Sequence, residues 1–252
     1  DGFLVTALFW IVLGLFGAIP LWITPQLDLS PIAAIFESIS GLTTTGATVI
    51  TGLDALPRSL LLYRQLLQWL GGIGIIVLAV AILPMLGIGG MQLYRAESAG
   101  PSKDRKLTPR ITSTAKALFG IYLLLTVACT LSYFAAGMSP FDALCHAFST
   151  VAIGGFSTHD ASLGYYEENA ILLVSSLFML FSAINFGLHF VALQRRTARV
   201  YARDSETAFF VTVIALATVV TCSLLLTTET LGVEDSLIHG FFQTVSIATT
   251  TG

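Results

Sequence analysis

Long apolar stretches dominate this chain and restrict it to folds that a lipid bilayer can surround. Five of them reach the roughly 20 residues that an α-helix needs to cross about 30 Å of hydrocarbon. They lie at about residues 3–23, 58–83, 113–136, 168–193 and 207–227. Only 11% of the 252 residues are charged, and the mean hydropathy is +0.83. The sequence therefore predicts an all-α polytopic membrane protein.

Three shorter apolar stretches alternate with the long ones, at about 31–42, 140–151 and 236–247. Each has about a dozen residues and covers only half of a bilayer, so we predict re-entrant half-helices. Ser30 with Pro31, and Ser139 with Pro140, favour helix starts, because serine caps a free N–H and proline suits the first turn. In the third copy two acids and a hydroxyl, Glu234, Asp235 and Ser236, also favour a helix start.

Each half-helix leads into one copy of a short motif, SGLTTTG at 40–46, STVAIGG at 149–155 and SIATTTG at 246–252. Glycine permits a positive φ and leaves no side chain in the way, so backbone carbonyls can replace the water shell of a cation. A single glycine would be better explained by helix packing, but the threefold repetition favours an ion filter. We predict repeated span–pore helix–filter–span units around a pore, an architecture like that of K+ channels.

The candidate cation-binding residues end each copy of the motif. They are Thr43, Thr44, Thr45, Gly46, Ala152, Ile153, Gly154, Gly155, Thr249, Thr250, Thr251 and Gly252. Threonine hydroxyls can bind the ion or brace the backbone. In the second copy the backbone alone has to supply the oxygens, and Phe156 can wedge the strand against a neighbouring helix. No transition-metal site and no covalent cofactor are expected.

Basic residues divide the chain into units. Ten of the twelve lie in or beside two connections, which we expect to be cytoplasmic. They are Arg95, Lys103, Arg105, Lys106, Arg110 and Lys116, and Arg195, Arg196, Arg199 and Arg203. The predicted parts are a first unit (1–90), a basic connection (91–110), a second unit (111–194), a second basic connection (195–206) and a third unit that ends at its filter (207–252). Acidic residues gather on the opposite side, where they form a cation-attracting vestibule or simply fill loops from which basic residues are excluded.

Other polar residues in apolar surroundings have structural explanations. Arg64 is expected to snorkel or to pair with an acid. Glu37, His146 and Gln243 each lie nine residues before a filter glycine and are expected to hold their half-helices against the spans. The glycines at 71–74 and 87–90 suggest close helix packing and helix termination rather than a nucleotide loop. The three cysteines are expected to be buried apolar residues.

Four segments carry a resemblance to a known family. GLTTTGATVITGLD, RQLLQWLGGIGIIVLAVAILPMLGIGGMQLYRAE, STVAIGGFSTHDASLGYY and QTVSIATTTG resemble the TrkH-type pore subunits of the Trk/Ktr/HKT superfamily of potassium transporters. The resemblance runs along essentially the whole chain. It implies four units around one pore, with Gly46, Gly155 and Gly252 as the first three filter glycines. The fourth glycine has no counterpart, so we expect a fragment of a longer protein.

The resemblance also implies a setting for the pore. It implies the bacterial inner membrane, a homodimer of pore subunits, and a cytoplasmic nucleotide-binding regulatory subunit of the TrkA type that responds to ATP/ADP or NAD(H). The basic segments 91–110 and 194–206 could dock that partner or bind anionic lipid headgroups. A nucleic-acid partner is not expected. Glycine at position 46 implies a preference for potassium over sodium.

The expected function is potassium uptake through a gated, K+-selective pore, by a channel-like or an H+- or Na+-coupled route. The alternative is a secondary transporter of a small solute that uses broken helices at the midplane. Such carriers usually bury charged or polar binding groups, whereas the spans here are nearly free of acids, which favours a desolvated monovalent cation. No nucleophile and base are placed together, so an enzyme is not predicted.

Overall fold

Helices form the whole regular structure of the described part of the chain. The computed structural model describes residues 2–77, 107–228 and 232–252. The helices are α1 (Gly2–Ile23), α2 (Pro31–Leu42), α3 (Arg58–Val77), α4 (Leu107–Ala135), α5 (Pro140–Val151), α6 (Asn169–Ala183), α7 (Phe186–Arg195), α8 (Arg199–Arg203), α9 (Ser205–Thr227) and α10 (Val233–Ala248). Short 3₁₀ helices lie at Leu53–Ala55 and Ser162–Tyr165. The all-α prediction is confirmed.

The three predicted half-helices are α2, α5 and α10. Ser30 Oγ accepts a hydrogen bond from Ala33 N at 3.2 Å, and Ser139 Oγ accepts one from Asp142 N at 3.1 Å, so both predicted caps are present. The third half-helix begins at Val233, earlier than expected, and has no side-chain cap. Acidic residues occupy its first turn instead, where they complement the helix dipole.

Two helices among the described residues are long and apolar enough to cross a membrane. The apolar segments are Ala115–Ala135 and Ser205–Thr227. A third candidate is the pair α6 and α7, if both belong to one broken span. Helix α3 accounts for most of the predicted span 58–83; its last residues, the glycines at 87–90 and most of the basic connection 91–110 lie outside the described residues.

The prediction of one continuous helix over 168–193 is wrong. Helices α6 and α7 meet at an angle of 90°. Ile184 has an extended backbone, and Asn185 Oδ1 accepts a hydrogen bond from Gly187 N at 2.9 Å, which starts a new helix in place of the old one. The carbonyl of Phe181, freed by the break, has His189 Nε2 as its partner at 2.8 Å. Hydropathy could not reveal this break, because both halves are apolar.

Close helix contacts position the half-helices. Helix α3 packs against α2, α4 and α5. A Cβ on Gly71 would lie 2.0 Å from the carbonyl oxygen of Leu42, and one on Gly72 would lie 2.6 Å from Tyr122 Oη. These glycines therefore serve helix packing, as predicted. The three cysteines, Cys129, Cys145 and Cys222, are buried.

A pair of glycine-to-alanine variants tests this packing. Gly71→Ala is expected to destabilise the protein by about 1–3 kcal/mol, because the new methyl group meets backbone that cannot rotate away. Gly120→Ala, on α4, has no atom within 4 Å of the new Cβ and is expected to stabilise the helix by about 0.5–1 kcal/mol. Thermal unfolding in detergent measures both. A Gly71→Ala protein as stable as the unchanged one would contradict the contact.

Candidate ion-binding site

The three half-helices end in the same backbone conformation. In the first copy Thr44 N donates to Gly41 O at 3.0 Å and Thr45 N donates to Ser40 O at 2.9 Å. This is a Schellman ending, in which the residue after the cap is left-handed. The same two bonds recur in the other copies, from Ile153, Gly154, Thr250 and Thr251.

The left-handed residue of each ending is β-branched. Thr44, Ile153 and Thr250 have φ of 54°, 49° and 64°. This conformation is unfavourable for branched side chains, so it persists only where the surrounding structure enforces it, and such strain is typical of functional sites. The repetition therefore extends from the sequence to the backbone angles.

The glycine that ends each motif has a positive φ as well. The values are 77° for Gly46, 84° for Gly155 and 87° for Gly252. A Cβ on Gly46 would lie 1.9 Å from Gly154 O, and one on Gly155 would lie 1.8 Å from Thr251 O. Each of these two glycines thus touches the residue before the next glycine. The copies follow one another side by side in chain order, as segments around a common axis would.

Hydroxyl pairs brace the first and third copies. Thr43 Oγ1 lies 2.7 Å from Thr45 Oγ1, and Thr249 Oγ1 lies 2.9 Å from Thr251 Oγ1. Thr43 Oγ1 also donates to Ile39 O at 2.8 Å, the carbonyl one turn back in its half-helix. Of the two roles considered for threonine, the structure displays the bracing one.

The second copy has no such threonine pair, and a glutamine from α3 lies against it instead. Gln68 Nε2 donates to Gly154 O at 2.7 Å, and Gln68 Oε1 accepts from Phe156 N at 3.1 Å. Sequence reasoning missed Gln68. The available signal was a polar side chain within an apolar helix, which usually has a specific partner. Phe156 is buried against α3, in agreement with the predicted wedge.

A buried ion pair connects the first two copies. Arg64 Nη2 lies 2.8 Å from Glu37 Oε1, and both side chains are 0% exposed. Glu37 also accepts hydrogen bonds from Thr48 Oγ1 at 2.8 Å and Val49 N at 3.0 Å. Arg64 Nη1 donates to Ser157 O at 3.2 Å. Arg64 therefore joins α2, the segment after the first motif copy and the segment after the second.

The predicted roles of the three polar residues in the half-helices have different outcomes. Glu37 holds α2 to α3 through Arg64, as expected. His146 Nε2 lies 2.9 Å from Ser157 Oγ, so its hydrogen bond holds α5 to the segment after its own motif copy, and its ring contacts Tyr133 of α4. Gln243 is exposed. Arg64 is paired, and snorkelling is not needed to explain it.

A cavity of about 350 Å³ lies next to Gly46 and Gly155, and its lining includes Asp160. The Asp160 carboxylate accepts from Gly52 N at 3.0 Å and Leu53 N at 3.1 Å, which joins the loop between α2 and α3 to the loop between α5 and α6. No group of three or more His, Cys, Asp or Glu residues suited to a metal ion occurs among residues 2–77, 107–228 and 232–252.

A second contact between the same two loops pairs an acid with a histidine. His159 Nδ1 lies 2.5 Å from Asp54 Oδ1, and this hydrogen bond lowers the pKa of the Asp54 carboxyl from its ordinary value. The His159 ring stacks on Tyr165 with 3.6 Å between the ring centroids. Asp160 therefore lines the cavity directly, and Asp54 contacts it through His159, which is also a lining residue.

The second basic connection lies between helices. Arg195 ends α7, and Arg196 follows it with a φ of 48°, which turns the chain. Arg199 and Arg203 are the first and last residues of α8. Four arginines are thus gathered in nine residues next to the broken span.

Comparisons with known proteins agree along the full chain. The family TrkH, described as cation transport protein, matches residues 1–252. The Trk system potassium uptake protein TrkH of Halomonas elongata is 60% identical over 252 residues, which are 100% of this chain and 52% of that protein. The protein of the same name from Escherichia coli K12 is 54% identical over 254 residues, with the same two coverages.

A solved structure has the same fold. The crystal structure of the potassium transporter TrkH from Vibrio parahaemolyticus matches with a TM-score of 0.90 and 51% sequence identity, over 100% of this chain and 51% of that one. The chain spans about half the length of the curated relatives it matches. The family match over the whole chain and these identities lead to one conclusion: the chain belongs to the TrkH family of cation transport proteins.

Proposed function

We propose that this chain forms three walls of a potassium-selective uptake pore, in which residues 43–46, 152–155 and 249–252 replace the water shell of the ion. The observation that carries this proposal is the repeated filter backbone. Each copy has a left-handed branched residue followed two positions later by a left-handed glycine, and the copies touch in chain order. Carbonyl-rich backbone around one axis is the chemistry that binds a dehydrated monovalent cation.

The family supports potassium as the ion. Relatives of this chain are named potassium uptake proteins. Glycine occupies the closing position of all three copies, so no side chain narrows the path. Partial negative charge at the C-terminal ends of α2, α5 and α10 adds attraction for a cation. The acidic residues of the outer loops would concentrate cations at the entrance.

The division of the chain follows from this reading. Units 1–90 and 111–194 each supply one pore wall, unit 207–252 supplies the third, and the basic segments 91–110 and 195–206 connect them. A Cβ built on Gly252 meets no atom within 4 Å among the described residues, in contrast to one on Gly46 or Gly155, so this side of the proposed ring has space for a fourth wall. The relatives are about twice as long as this chain, so their remaining half is the natural source of that wall.

The pore acts as a transporter rather than an enzyme, in the bacterial inner membrane and as a homodimer of full-length subunits. The arginines at 195, 196, 199 and 203 give the cytoplasmic side a positive surface for a nucleotide-binding regulatory subunit of the TrkA type. ATP/ADP or NAD(H) would act through that partner, since Gly71 and Gly72 serve helix packing rather than a nucleotide loop.

Ion uptake into liposomes tests the proposal directly. The full-length protein that contains these residues is reconstituted, and rubidium or potassium uptake is measured with sodium as the competitor. We expect saturable uptake in which excess sodium competes poorly. Absence of monovalent-cation uptake, with and without the regulatory subunit, would contradict the proposal. It would favour the alternative, a solute carrier with broken helices, which the 90° bend between α6 and α7 supports.

A further inference from the structure

The second filter copy differs from the other two in how its backbone is held. In the first and third copies, threonines three and one positions before the glycine pair through their hydroxyls. The equivalent residues of the second copy are Ala152 and Gly154, which have no hydroxyl. A segment without these braces would be the loosest of the three unless another group held it.

Gln68 occupies the place that a second-copy threonine would need. A Cβ on Gly154 would lie 2.6 Å from Gln68 Cδ, 2.7 Å from its Oε1 and 2.8 Å from its Nε2. The Gln68 side chain is 0% exposed, and its amide uses both ends, as donor to Gly154 O and as acceptor from Phe156 N. Gln68 therefore fits in this place because residue 154 is glycine and has no side chain.

We propose that Gln68 is a positioning residue that maintains ion selectivity by fixing the second filter segment, in place of the threonine pairs of the other copies. This inference rests on the proposed function as a cation pore. Gln68 binds no ion in this scheme. It acts through the Gly154 carbonyl, which also lies against Gly46, so the same amide sets the separation of the first and second copies.

A neighbouring glutamine provides a matched control. Gln65 lies one turn earlier on α3 and is also 0% exposed, but neither end of its amide has a hydrogen-bond partner among the described residues. Both glutamines are changed to leucine in the full-length protein. Uptake of rubidium and of sodium is then measured in liposomes, at equal amounts of folded protein.

We expect Gln68→Leu to lower the ratio of rubidium to sodium uptake by about tenfold. This factor corresponds to the free-energy cost of leaving buried backbone groups without hydrogen-bond partners. Gln65→Leu is expected to leave the ratio unchanged. A Gln68→Leu protein with the original ratio, or a Gln65→Leu protein with the same loss, would overturn the inference.

A rescue experiment separates positioning from general packing. Gly154→Thr alone is expected to impair selectivity, because its side chain meets Gln68. Gln68→Ala alone is expected to impair it by removing the two hydrogen bonds. Combined with Ala152→Thr, the two changes give the second copy the threonine pair found in the others, with space for the side chain at position 154. We expect this triple variant to be more selective than Gly154→Thr or Gln68→Ala alone. If the loss of selectivity in the combined variant equals the sum of the losses in the single variants, the proposal is contradicted.

The outcomes distinguish this inference from the proposed function. If the unchanged protein takes up no monovalent cation, the pore itself is wrong. If the unchanged protein is selective and Gln68→Leu is equally selective, the pore stands and only the role of Gln68 is wrong.

Discussion

Replacing Arg64 with leucine is expected to destabilise the protein by about 3–5 kcal/mol, because the change leaves Glu37 as an unpaired buried charge. Both side chains are fully buried, so water cannot take the place of the lost partner. The change also removes the donor to Ser157 O, which connects the first unit to the second. Unfolding by heat or denaturant in detergent, on the full-length protein, measures the loss.

Two further variants make the Arg64 prediction specific. The double variant Arg64→Leu with Glu37→Leu removes both charges and is expected to be more stable than Arg64→Leu alone. Arg58→Leu removes an exposed arginine of the same helix, which lies 5.3 Å from the Phe141 ring, and is expected to cost less than about 1 kcal/mol. Equal losses for Arg58→Leu and Arg64→Leu would mean that the buried pair is not what stabilises α3.

Replacing Gly46 with serine is expected to lower the ratio of rubidium to sodium uptake by about 10- to 100-fold, because overpacking of about 1–3 kcal/mol has to be relieved within the proposed filter. The new Cβ would lie 1.9 Å from Gly154 O, and neither group can move without displacing filter backbone. Gly155→Ala meets Thr251 O in the same way and is expected to have a similar effect. Liposome uptake with sodium as competitor is the measurement.

Gly52 separates the steric clash from backbone strain. It also has a positive φ, 74°, but no atom lies within 4 Å of a Cβ built on it. Gly52→Ala is therefore expected to cost about 1–2 kcal/mol of stability through its left-handed conformation, with unchanged selectivity. Loss of selectivity in Gly52→Ala equal to that in Gly46→Ser would show that strain anywhere near the entrance is sufficient, and would contradict the close contact of the filter copies.

Local signals were enough to predict the elements that support the site. Ser30 and Ser139 cap half-helices at the expected residues, because capping depends on chemistry within one turn. The glycine motifs were recognisable because they repeat. The break between α6 and α7 was not predictable from hydropathy. Apolar residues indicate that lipid or protein surrounds a segment, but they do not indicate where the helix axis changes direction.

The partners of the polar residues required the folded chain. Arg64 was expected to be paired or to snorkel, but the choice of Glu37 depends on how α2 and α3 pack. A polar side chain in an apolar helix indicated that Gln68 has a partner, but the partner could not be identified, because its two bonds reach residues more than eighty positions away. Residues this distant along the chain meet only through tertiary packing, which no local pattern encodes.

The features that the sequence predicts depend on interactions within a few residues, and the others depend on contacts between distant segments. The sequence alone determined the bilayer as solvent, the half-helices with their caps and the three glycine motifs, because hydropathy, capping and backbone freedom act within a few residues. Tertiary structure decided which carbonyl faces which glycine, which acid neutralises Arg64 and which amide holds the second copy. Those are contacts between segments that are distant in the sequence. A buried charge or backbone polar group can pair only with a group that tertiary packing brings within hydrogen-bond distance.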